Sequence, residues 1–261
     1  MPGQKEIESG HYYKKQLDCK SRVIAWSHRS RFETALRVVG KAPRSLLDYG
    51  CGDGTFLAMI AEGVEEGVEE GVGADIDRHQ IEDCRSRFAA FPNLEFRMIE
   101  ELTGPAFDGH YDVVVCMETL EHCPTDVASV VLKDLARLVS SEGKVIISVP
   151  IEIGATFLIK LVVRKFAAWR GIGDYRYYES YSVGNALRMI FASERTQVER
   201  TIYDTPFGSS HSHYGFNWRV LRAAIGNVLE INHVHFSPLG FLGGIVSSQI
   251  WFVCSPKQVG G

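Results

Sequence analysis

Asp48, Gly50, Gly52 and Gly54 stand in the run Leu47-Asp48-Tyr49-Gly50-Cys51-Gly52-Asp53-Gly54, an acid followed by glycines at alternate positions. Glycine tolerates positive φ and lets a ligand press against the backbone, so such a run can floor a binding site. A carboxylate ahead of the first glycine suits a ligand carrying an ammonium group and repels a pyrophosphate. About twenty residues later, Asp75 falls where an acid can accept hydrogen bonds from ribose hydroxyls, with Ile76 beside it to cover a face of an adenine. The second constellation is Met117-Glu118-Thr119-Leu120-Glu121-His122. Read as a helical turn, it puts Glu118, Glu121 and His122 at i, i+3 and i+4, where all three can converge on one divalent ion or one substrate hydroxyl. Alternatively, Glu121 or His122 accepts a proton from a substrate oxygen, a task suited to an imidazole near neutral pH. His211-Ser212-His213-Tyr214 offers His213 as a further base.

These residues need elements to hold them. Ser45-Leu46-Leu47-Asp48-Tyr49 is a short apolar run stopped by Gly50, and 55–61 reads as the helix that follows: strand, glycine turn, helix. A helical pattern over 21–39, closed by Gly40 and Pro43, precedes it. The glycine and glutamate repeat of 62–72 reads as a solvated helix end and loop. Strands are predicted at 72–77, 94–98, 111–116 and 144–150, with helices at 81–88 and 127–138 between them. That alternation implies right-handed crossovers and a mostly parallel sheet, and the glycine run then lies at the carboxyl end of its first strand. After Pro150 the alternation breaks until a helix at 218–228. Two alternating runs, 231–236 and 249–254, joined by a Gly-rich loop, predict an antiparallel pair at the sheet edge.

The glycine run together with Gly73-Ala74-Asp75-Ile76 resembles motif I and its acidic follower in class I S-adenosylmethionine-dependent methyltransferases, over roughly residues 45–150. The resemblance implies a Rossmann-like, doubly wound, mostly parallel seven-stranded sheet with an antiparallel C-terminal edge hairpin. It also implies S-adenosylmethionine as cofactor: Asp48, Tyr49, Gly50, Cys51, Gly52 and Gly54 at the methionine moiety, Asp75 at the ribose, and Cys116 with Met117 lining the pocket after the fourth strand. Glu100 or Glu101 would contact the adenine. Met117 to His122 resembles the M-E-x-L-E-H signature of ubiquinone-biosynthesis-type O-methyltransferases. Small-RNA 2′-O-methyltransferases carry a related E-x-x-E-H pattern that binds a divalent metal with a later histidine, here His211 or His213.

Methyl transfer from a sulfonium needs alignment and exclusion of water more than a catalytic triad. The expected activity is O-methylation (EC 2.1.1.-) of a small-molecule, sugar or lipid-linked acceptor, with Glu121, His122 or His213 assisting deprotonation. A nicotinamide-dependent oxidoreductase on the same sheet logic and a cofactor-binding protein without turnover are the alternatives.

The chain divides into an N-terminal helical cap (1–44), a cofactor-binding core (45–150), a lid or substrate-binding insertion (151–206) and a C-terminal helix with edge strands (207–261). In the insertion, Ala155, Leu158, Ile159, Val162, Phe166 and Trp169 form an apolar stripe at helical spacing beside Lys160, Arg164, Lys165 and Arg170. Such a helix packs as a lid or rests on a membrane surface. Tyr175, Arg176, Tyr177, Tyr178 and Tyr181 would line a pocket for a phosphate-bearing or sugar-like acceptor. With 28 Lys and Arg against 32 Asp and Glu, the formal net charge of -4 gives no general attraction to nucleic acid. Six scattered cysteines without a C-x-x-C pair argue against a zinc knuckle and a disulfide framework. No signal-peptide core or spanning run of apolar residues is present, which predicts a cytoplasmic protein.

Overall fold

The computed structural model describes residues 4–18, 22–41, 43–63, 68–169, 182–206 and 208–257. The N-terminal elements are α1 (Gln4–Ser9), a short π-helical turn (Tyr13–Leu17) and α2 (Arg22–Val39). The sheet-forming region follows as β1 (Ser45–Tyr49), α3 (Thr55–Gly63), β2 (Glu70–Asp75), α4 (Arg78–Arg87), β3 (Leu94–Met98), β4 (Tyr111–Met117), α5 (Thr125–Leu138) and β5 (Val139–Pro150). Next come α6 (Gly154–Trp169), α7 (Val183–Ile190) and a hairpin of β6 (Ile202–Thr205) and β7 (Gly208–His211). The chain returns to the sheet through α8 (Trp218–Val228), β8 (Leu229–Ser237) and β9 (Gln249–Pro256).

Seven strands form one sheet in the order β3-β2-β1-β4-β5-β9-β8, parallel except where β9 runs antiparallel to β5 and β8. The order reverses between β1 and β4, so the crevice at their carboxyl ends is the switch point where open α/β sheets bind ligands. Burial explains why consecutive residues of the central strands are all apolar. Leu46, Val113 and Val115 pack with α2, α3 and α4 on one face, while Leu47, Val114 and Cys116 pack with α5 and α8 on the other. Each fully buried aliphatic side chain contributes about 1.5–3 kcal/mol, and a strand wet on either face would lose half of that.

Polar residues set the boundaries. Asp77, expected inside the second strand, instead caps α4 by accepting from the backbone N–H groups of His79 at 2.9 Å and Gln80 at 3.4 Å. The fifth strand begins at Val139 rather than 144, because Tyr111 pairs with Val139 before a register shift on β4. In α6 the difference concerns which face is buried. Thr156 and Phe157 are the buried positions, whereas Leu158, Ile159 and Val162 of the apolar stripe are exposed. Phe157 meets Met189 of α7 and Val198 in a small core of their own. Arg170 and the tyrosine and arginine run of 175–181 lie outside the described residues. Among the described residues no helix is long and apolar enough to cross a membrane.

Candidate active site

The glycine turn leaves β1 with Gly50 at φ 82°, Gly52 at 54° and Gly54 at 69°, all in the left-handed region. At Gly50 the requirement is double, since an added Cβ would also stand 2.4 Å from Thr119 Oγ1. Gly50 and Cys51 both donate from their backbone nitrogens to the carbonyl of Ala74, at 2.8 and 3.0 Å, which ties the turn to β2. Asp75 completes the tie. One carboxylate oxygen accepts from Gly52 N at 2.9 Å and the other from Asp77 N at 3.0 Å.

A cleft of about 190 Å³ opens over this turn, lined by Asp48, Gly50, Gly52, Met117, Glu118 and, from the N-terminal region, Tyr12 and Arg31. Asp48 is buried, and its carboxyl is pushed up to about 8 by burial and then by the charges of Asp75 and Asp53. An acid so placed gains from a cationic ligand group beside it. Tyr49 and Cys116 lie one residue out of phase with the cleft. Tyr49 donates to Asp134 on α5 at 3.3 Å, and both side chains join the core on that face. Ile76 is exposed just past β2. Glu100 is exposed in the turn Ile99–Thr103 after β3, paired at 3.6 Å with Arg78, and Glu101 accepts from Met98 N at 3.3 Å.

Sequence reasoning missed the roof of the cleft. Tyr12 N donates to Asp53 Oδ2 at 2.8 Å, and Arg31 donates to the Tyr12 hydroxyl at 3.3 Å. Arg31 pairs with Glu118 at 3.2 Å, and Gln249 donates to that carboxylate at 3.0 Å. The Nε of Arg31, Oγ1 of Thr55 and Oε1 of Glu118 are buried with no hydrogen-bond partner among the described residues. A signal existed. Arg31 falls four residues before Ala35, on the face of α2 that carries buried Phe32, Ala35 and Val39, where a cation needs a reason.

Residues 118–123 form a turn rather than a helix, because Glu118 adopts φ 53°. The expected i, i+3, i+4 convergence therefore does not arise from helix geometry. Glu118 faces Arg31, while Glu121, His122 and His213 bring one ligand atom each within 4.8 Å of one another. The β6–β7 hairpin delivers His213: His211 N donates to His122 O at 2.8 Å, and His122 Nδ1 lies 2.9 Å from His211 O. Arg200 donates to Ser212 O at 2.7 Å and also to the Glu121 carbonyl, stitching the hairpin to the turn. The side chain of Glu121 is fully buried and neither carboxylate oxygen has a hydrogen-bond partner among the described residues. Burial, followed by the charge of Glu118, raises its carboxyl well above the usual range.

Residues 24–190 match a methyltransferase domain family. The chain belongs to it. The fold is that of the class I S-adenosylmethionine-dependent methyltransferases, and the nicotinamide alternative falls away. The chain is 34% identical over 134 residues to a ubiquinone biosynthesis O-methyltransferase of Thiobacillus denitrificans, covering 47% of this chain and 55% of that one. It is 29% identical over 163 residues to a magnesium-protoporphyrin O-methyltransferase of Synechocystis, covering 60% and 61%. The chain thus spans little more than half the length of these curated relatives. Its fold superposes on the crystal structure of magnesium protoporphyrin IX methyltransferase from Synechocystis with bound SAH, at a TM-score of 0.53 and 15% identity, over 98% of this chain and 100% of that one.

Proposed function

We propose that the chain transfers the methyl group of S-adenosylmethionine to a hydroxyl oxygen of a small-molecule, sugar or lipid-linked acceptor, with Glu121, His122 and His213 receiving that hydroxyl. Glu121 carries the reading. A carboxylate fully buried beside two imidazoles, with both oxygens lacking a hydrogen-bond partner among the described residues, is costly for stability and fits a group that meets a substrate or a cation. The names of the two curated relatives, both O-methyltransferases, support oxygen as the nucleophile.

The cleft fits the amino acid end of the cofactor. Asp48 would face its ammonium group and Arg31 its carboxylate, the glycine turn would lie against the methionine chain, and Asp75 would accept from the ribose hydroxyls. When bound, the cofactor supplies an electrophilic methyl on a sulfonium. The residues of the chain do the rest: they align the acceptor oxygen with that methyl, keep water out and hold the hydroxyl proton. His122 Nδ1 must donate to the His211 carbonyl, which only accepts, so Nε2 of the neutral ring keeps its lone pair for a proton or a cation. The donor set of Glu121, His122 and His213 also fits a divalent metal, which would lower the pKa of a bound hydroxyl. Residues 151–206 serve in this reading as the acceptor-binding lid. The unpaired thiols of Cys51, Cys84, Cys116, Cys123 and Cys254 suit a cytoplasmic setting.

Calorimetry with S-adenosylhomocysteine, followed by transfer of labelled methyl to phenolic, sugar and lipid-linked hydroxyls, tests the proposal. Binding and label on oxygen are expected. Label on nitrogen alone overturns the acceptor class, and no affinity for S-adenosylhomocysteine overturns the reading entirely.

A further inference from the structure

Two surface features outside the cofactor cleft share a border. The first is apolar. On α6, Val162, Val163 and Trp169 are 60%, 57% and 75% exposed, and on the adjoining 3-10 turn Gly240–Ile245, Phe241 and Ile245 are 83% and 62% exposed. The Thr156 hydroxyl joins these elements by donating to the carbonyls of Gly244 at 2.7 Å and Ile245 at 3.0 Å. The second feature is a groove of about 840 Å³ lined by Arg37, Lys144, His233 and His235 with no carboxylate among its lining residues. Phe241 lines it too, so the cationic groove runs into the apolar patch.

Charge decides the occupant. The sequence of α6 contains no acid, nor does 238–246, and Lys165 of α6 is exposed. His235 is held below the usual imidazole range by burial and then by His233 and Arg37, so the standing cations of the groove are Arg37 and Lys144. An apolar face bearing aromatic residues, flanked by cations and free of carboxylates among the described residues that form it, matches a bilayer whose headgroups are anionic. A second copy matches less well, because a two-fold interface on this border would set like-charged grooves near each other. We propose that the α6 face, the Gly240–Ile245 turn and the Arg37, His233 and His235 groove form one footprint that docks on an anionic phospholipid membrane. The assignment does not depend on the methyl-transfer reading.

The test is co-sedimentation of the full chain with vesicles of phosphatidylglycerol and phosphatidylcholine, and with phosphatidylcholine alone. Binding is expected on the anionic vesicles, weakened about fivefold for each cation removed in Arg37→Gln and Lys165→Gln. The pair Val162→Ser with Phe241→Ser, both on exposed side chains, is expected to weaken binding at least tenfold while S-adenosylhomocysteine affinity stays unchanged. Recovery of the wild-type chain in the supernatant with both vesicle types overturns the proposal. So does a stable dimer in sedimentation velocity that the Val162→Ser and Phe241→Ser pair dissociates. If the chain binds vesicles but not S-adenosylhomocysteine, the functional reading fails and the footprint stands.

Discussion

His122 and His213 face each other through their Nε2 atoms at 3.3 Å, although 91 residues separate them in the chain. Because neutral His122 donates through Nδ1 to the His211 carbonyl, its Nε2 accepts and His213 Nε2 donates to it, a long hydrogen bond that an acceptor hydroxyl or a cation can enter. Replacing either by alanine should therefore lower kcat by about 10²–10⁴, the usual contribution of a positioned acid or base. Glu121→Gln, which keeps the shape but cannot take up or release a proton, should do the same. Affinity for S-adenosylhomocysteine, measured by calorimetry, should stay unchanged in all three. A comparable loss of cofactor affinity would move these residues from the acceptor side to the cofactor side.

Asp48 gives the cleft a pH signature whose sign can be worked out. Its carboxyl is raised from 3.8 to about 8, first by burial and then by Asp75 and Asp53. The folded chain thus holds this proton more tightly than the unfolded chain. Stability from this group is present at low pH and is lost as pH rises from about 4 to about 8. A ligand ammonium favours the ionised form, so binding S-adenosylhomocysteine near neutral pH should release up to one proton. Calorimetry in buffers of different ionisation enthalpy reads that release directly. Asp48→Asn should abolish it, and an unchanged proton count in that variant would refute the assignment.

The fold was largely legible because the sheet is buried on both faces. Strands such as Leu94–Met98 and the helix Trp218–Val228 were read to their observed ends, since apolar runs and Gly, Pro or Asn punctuation mark them. The glycine turn and Asp75 were legible because their spacing is local. Arg31 was not, since it meets the cleft through α2, which is remote in sequence from Glu118. The grouping of Glu121 and His122 with His213 was suggested only by resemblance. Its actual cause is the β6–β7 hairpin and Arg200, which periodicity does not report. Tyr49 and Cys116 show the opposite limit: motif position selected them, but the two-residue pleat turns their side chains toward α5.

Gly50 should tolerate no side chain. Its φ of 82° costs an L-residue about 1–2 kcal/mol, and the contact of 2.4 Å with Thr119 Oγ1 adds overlap. Gly50→Ala should lower stability by at least about that amount in urea denaturation and weaken cofactor binding with it. In the double variant Gly50→Ala, Thr119→Gly, the overlap is gone and the φ strain stays, so stability should recover in part. No recovery would mean that backbone strain alone accounts for the loss.

Arg31 should discriminate between ligands that carry the amino acid end of the cofactor and ligands that lack it. It lines the cleft, and its Nε is buried without a hydrogen-bond partner among the described residues. A hydrogen bond to a charged group contributes about 1.5–3 kcal/mol. Arg31→Lys should therefore weaken S-adenosylhomocysteine by roughly tenfold to a hundredfold, because a lysine ammonium cannot reproduce the guanidinium fork. Methylthioadenosine, which has the nucleoside and sulfur but no carboxylate, should bind the variant and the wild type equally. Comparison of the two ligands on the same protein separates recognition from structural damage, since a collapsed cleft would weaken both. Equal losses for both ligands would assign Arg31 to supporting Tyr12 and Glu118 rather than to the ligand carboxylate.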